Sequence, residues 1–284
     1  MLEAINTWDD YRAKVREFDA VLEHGKAVSA ALAGEVNAAP HARYGEQIFV
    51  KLLSHCLALR SLMADPQRRT GRELWDLPSL CALARCVVEV HDAFEYIAGH
   101  PLTDAERAFR ISLWELHDQT RMLKLLGDLP AAEPRAAHTR EAVERLKAAV
   151  QGDAFFASLP PRLQEELRNR LARNDPPAFH LSLRQRCALS GVNAERHHAV
   201  TSQLAQHVHT LPSAMHELAT FNGGAPEALR LLAMPLLSVL PFLVRVIQAA
   251  DTLTPWHPPH PPSRTARTMA AWRALAEQAP LPAA

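Results

Sequence analysis

Arg85, Glu89 and His91 fall within one apolar stretch, and the spacing Arg85-CVVEV-His91 sets a permanent cation near a proton carrier. At a phosphodiester the first would stabilise developing charge and the second would move a proton. The same order recurs at Arg110-ISLWEL-His117 and Arg173-NDPPAF-His180. A chain with 26 Arg and 15 His produces such spacings by composition alone, so spacing does not by itself assign a nuclease. The first instance differs in context, because a charge inside an apolar helix must be paired or be heavily penalised. Arg85 and Glu89 are four residues apart, on one helix face, and can pair with each other. Two readings stay open: a structural buried ion pair, or a polar pocket between helices built from Arg85, Glu89, His117 and His209.

Other chemistries have less behind them. No Walker loop, GxGxxG, GxSxG, HExxH or paired CxxC is present. A di-iron bundle needs two Glu-x-x-His pairs on facing helices, and only Glu195-x-x-His198 fits. The rings of His207 and His209 diverge by about 200° on a helix, so one is expected to pack inward and the other to face solvent. His24, His41, His100, His138, His257 and His260 are placed on exposed faces or in Pro-rich loops. No metal and no cofactor is expected. The four cysteines, Cys56, Cys81, Cys86 and Cys187, lie in apolar helical patterns and read as free, mostly buried thiols of a reducing cytoplasm.

Bulk composition narrows the partner. Lys plus Arg equals Asp plus Glu, at 31 each, so no basic surface is implied and nucleic acid is disfavoured. Arg outnumbers Lys by 26 to 5, and Ala and Pro are abundant, a pattern of high-GC bacterial coding. The start is charged from Glu3 onward and shows no secretory leader. Residues 231–244, LLAMPLLSVLPFLV, form a 14-residue apolar run between Arg230 and Arg245. A spanning helix needs about 20 such residues, so a buried central helix kinked at Pro235 and Pro241 is expected, with no membrane partner.

The elements that would hold these residues read as helices throughout. Apolar residues at helical spacing give helices over about 7–33 and 42–64. The third, from after Pro78 to about 99, is apolar on nearly every side and should be buried all round. Thr103, with Glu106 three residues on, opens the fourth. Shorter helices follow at 139–149 and 161–172, the latter so charged that it reads as a solvated surface element. Residues 155–161 read as a break. Helices then cover 182–189, 193–209, 212–219, the apolar run to about 251, and 264–278. The spacing supports one all-α, bundle-like domain over 1–254, with any lobe boundary inside 128–180. A Pro-rich segment and short helix over 255–284 follow.

The segment LARCVVEVHDAFEYIAG resembles the ARSLxE helix of an uncharacterised bacterial all-helical family, with Arg85 and Glu89 at its Arg and Glu. Residues 181–214 are similar to the same family's later signature, a short helix, a Gly, and a helix ending Tyr-x-x-Leu-Ser-x-x-Val-His before a Pro. Leu204, Val208, His209 and Pro212 match it, while Thr201 stands at the Tyr and Ala205 at the Ser. The resemblance implies a single helical domain, polar groups of two distant segments brought together, and more weight on His209 than on His207. It brings no activity. The Arg–His spacing resembles that of the HEPN class of helical ribonucleases and toxins. The expectation is thus a cytoplasmic protein that binds a small ligand or a protein partner in an inter-helix polar pocket. The alternative is a HEPN-like ribonuclease, with Arg85, Glu89, His91, His117 or His209 as working groups. Oligomeric state is left unassigned.

Overall fold

The computed structural model describes residues 2–33, 39–64, 75–127, 133–219, 225–253 and 259–278. The turn-rich stretch 65–71, His257 and the Pro/Ala tail lie outside these residues. Among the described residues the chain is all-α, with twelve α-helices and no strand. Two compact units are formed, residues 1–99 with 186–284, and residues 100–185. The divisions fall at 99/100 and 185/186, outside the 128–180 interval expected from the breakers, and the C-terminal helix belongs to the first unit.

The first unit is built on α1 (Trp8–Leu32), α2 (Pro40–Leu62), α3 (Leu77–Phe94) and a π turn (Glu95–Gly99). After the second unit it resumes with the end of α8 (Leu183–Ser190) and continues with α9 (Ala194–Val208), α10 (Pro212–Ala219), α11 (Pro226–Ala250) and α12 (Ser263–Glu277). Local chemistry starts several of these helices. Thr7 and Asp10 form a reciprocal capping box on α1. Asp76 caps α3 through Ser79 N, and Asn193 caps α9 through Arg196 N. Pro226 opens α11 at a position where a missing N–H costs nothing.

α11 is the centre of this unit and packs against α1, α3 and α12. Its length and apolarity would suit a membrane span, but 72% of its most apolar window is buried inside the fold. Pro235 and Pro241 both lie within the helix and are buried. The expectation of a long buried helix therefore holds.

The second unit is built from α4 (Asp104–Leu125), α5 (Pro134–Gly152), α6 (Ala154–Ser158) and α7 (Pro161–Ala172). Thr103 caps α4 through Glu106 N. Its core joins Phe109, Leu113, Leu116, Val143, Leu146 and Leu167. Two expectations need correction here. α7 is not simply a surface element, because Leu167 and Leu171 bury one apolar edge against this core while the charges face outward. The break at 155–161 contains the one-turn α6, started by a hydrogen bond from Phe155 N to Asp153 and anchored by buried Phe156.

Candidate functional site

Arg85 and Glu89 do pair, with Arg85 Nε 2.9 Å from Glu89 Oε1. The pair is not buried, since the side chains are 31% and 60% exposed. α3 is closed on its apolar sides by α2 and α11. Its stripe of Arg85, Glu89 and Asp92 instead runs along α9, where Arg85 Nη1 donates to the Thr201 carbonyl at 3.1 Å. An exposed pair of this kind contributes little. Glu89→Ala is accordingly expected to change the unfolding free energy by no more than about 0.5 kcal/mol in urea denaturation.

The other expected residues do not gather around this pair. His209 is the exposed C-cap of α9, eight residues past Thr201, which is about 12 Å of rise along the helix. His117 belongs to the second unit, where Nδ1 lies 2.8 Å from the Pro176 carbonyl. His207 is the inward member of the His207/His209 pair and lies 3.3 Å from Glu217. The weight given to His209 over His207 thus runs opposite to their burial. His24 and His100, expected on exposed faces, are buried as well.

Only His91 enters a dense polar cluster, and its centre is Asp92. His197 Nε2 lies 3.0 Å from both Asp92 oxygens, and His91 Nδ1 lies 3.1 Å from Oδ1. Arg186 Nη1 sits 3.3 Å from Oδ2. Burial alone would raise the Asp92 pKa. The hydrogen bonds and charges of His197 and His91 overcome that and hold the carboxyl well below the usual carboxylate range. An ionised carboxylate only accepts, so the ring nitrogens facing it carry the hydrogens and both imidazoles are fixed in orientation. Phe242 of α11 completes the seat, with its ring edge-on to His91 at 4.9 Å and to His197 at 5.7 Å.

The outward nitrogens of the two rings, His91 Nε2 and His197 Nδ1, are buried without a hydrogen-bond partner among the described residues. Glu95 Oε1 lies 3.8 Å from His91 Nε2, one helical turn further on. Burial pushes the Glu95 carboxyl up from its ordinary value, against the pull of His91 and Arg245. Its seat exists because residue 99 is glycine. A Cβ there would overlap Glu95 Oε2 and come within 2.9 Å of Cδ. Gly99→Ala is expected to lower stability by about 1–3 kcal/mol by driving Glu95 from this position. An unchanged denaturation midpoint would contradict that seat.

Glu95 opens onto a cleft of about 200 Å³ lined also by Gly99, Leu189, Ser190, Arg245, Gln248, Ala249 and Arg273. No family model, no curated protein and no solved structure matches the chain. What the cleft can do therefore rests on its own chemistry. Arg245 is the most buried of its cations, with a side chain 11% exposed. It reaches the cleft past Gly191, whose φ of +65° is the left-handed turn ending α8. A Cβ at Gly191 would lie 2.9 Å from Arg245 Nη2, so glycine serves both the turn and the guanidinium. Among the described residues no group of three or more His, Cys, Asp or Glu could hold a metal ion. The arrangement can bind a polar molecule, and it presents a carboxyl whose pKa is raised by burial beside an oriented imidazole.

The sequence named His91 and missed Asp92, Glu95, Arg186, His197 and Arg245. A signal existed for part of the set. Asp92 follows Arg85 and Glu89 at helical spacing, and His91 and Glu95 are four apart. His197 lies inside the Glu195–His198 pair without metal-site spacing of its own, and in the sequence Arg245 only borders the apolar run.

Proposed function

We propose that this is a cytoplasmic bacterial protein that binds a small ligand in the polar cleft of its first unit. The observation carrying this reading is the cleft itself, bordered by Arg245 and Glu95 and underlain by the Asp92 cluster. A concave site with convergent charged groups and a carboxyl shifted by burial supports small-ligand binding. The free, mostly buried cysteines support a reducing compartment. The neutral charge balance favours a small ligand over nucleic acid.

The test is a thermal-shift screen of a metabolite set on the wild type and on Ala249→Trp, which fills the cleft. Binding compounds should raise the midpoint of the wild type and leave the variant unmoved. If no compound does so, or if the variant responds equally, the reading fails. Fragmentation of total RNA by the wild type but not by His91→Ala would favour the ribonuclease alternative instead.

A further inference from the structure

Arg245 is under-paired for a buried cation. Its Nε is buried without a hydrogen-bond partner among the described residues. Its Nη1 lies 3.4 Å from Glu277 Oε1, long against the roughly 2.7–2.9 Å of a good charge-assisted bond. Glu277 is half-exposed at the end of α12 and is shared with Arg273, whose Nε is 3.7 Å away. A guanidinium this poorly paired costs stability, and one carboxylate presented end-on to its Nη groups, where Glu277 is held only at 3.4 Å, would offset its charge. The wall beside it is apolar, with Ala249 and the exposed Leu189.

On the binding reading above, we infer that the ligand is a small organic carboxylate, held by Arg245 in place of Glu277, with its short apolar body against Leu189 and Ala249. A planar two-oxygen anion matches the guanidinium fork, which a neutral amide cannot do with charge. Glu95 is the other acid of the cleft. Burial shifts it toward its neutral form while His91, Asp92, Arg245 and Arg273 face it, which reduces its repulsion of an incoming anion.

The experiment is calorimetric titration with butyrate, butyramide and inorganic phosphate on the wild type, Arg245→Gln, Glu277→Gln and Ala249→Trp. Butyrate should bind the wild type saturably, and at least about tenfold more weakly to Arg245→Gln. Glu277→Gln, which removes the internal competitor at an exposed position, should bind it about three- to tenfold more tightly. Butyramide and phosphate should each bind at least about tenfold more weakly than butyrate. The inference is overturned if Arg245→Gln binds butyrate as the wild type does, or if butyramide or phosphate binds as well as butyrate. If Arg245→Gln does not fold, Glu277→Gln decides, and an unchanged butyrate affinity overturns the inference. Butyramide binding that Ala249→Trp abolishes, with no preference for butyrate, removes the carboxylate but leaves a ligand cleft. Titrations unaltered by Ala249→Trp remove both.

Discussion

Asp92→Ala is expected to destabilise the first unit by about 3–5 kcal/mol, the cost of removing one partner from a buried charged cluster. Two imidazoles and the Arg186 guanidinium turn toward this carboxylate, and deletion leaves His91 Nδ1 and His197 Nε2 without an acceptor. Asp92→Asn keeps the volume and should fall between the variant and the wild type. The pH dependence gives an independent sign. Asp92 has a folded pKa below its unfolded value of about 3.9. Its contribution is therefore fully present above about pH 4–5 and is lost as the pH falls through the folded pKa. The gap between wild type and Asp92→Asn in urea denaturation should be largest at neutral pH and should close on acidification below about pH 4. A gap that widens in acid would contradict the cluster.

Phe242→Ala is expected to cost about 3–5 kcal/mol, the range for removing a buried aromatic side chain. Phe242 is fully buried in α11, and its ring touches both His91 and His197. The substitution opens a cavity beneath the two imidazoles and frees them to rotate, so the Asp92 hydrogen bonds should weaken together with the packing. Phe242→Leu should recover much of the stability and less of the imidazole order. NMR of the two His side chains, with denaturation of both variants, separates these effects. A Phe242→Ala protein as stable as the wild type would show that the cluster does not depend on α11.

The helices were legible because their signals are local. Thr7, Thr103 and Asn193 announce helix starts by residue type, and the apolar periods fix the faces behind them. That one of His207 and His209 packs inward while the other faces solvent followed from helix geometry, but which one does so did not. The site was less legible because it depends on which neighbour each face meets. α3 is so apolar that Arg85 and Glu89 looked buried, whereas the stripe they share with Asp92 lies along α9 and only its Asp92 end is enclosed. His197 and Arg186 reach that end from α9 and α8, more than ninety residues away in the chain, and no periodicity records such a meeting. The division into two units escaped for a similar reason. Residues 100–185 carry their own core around Phe109 and Leu113, and its edges coincide with no Pro-rich breaker.

The most direct test of ligand binding at the cleft is the Nε–H resonance of Arg245 in a proton–nitrogen correlation spectrum, assigned by its loss in Arg245→Gln. Butyrate taking the place of Glu277 at the neighbouring Nη1 should move that resonance saturably, while butyramide leaves it in place. A resonance unmoved by butyrate in the folded protein would contradict the role of Arg245 as the anchor of the site.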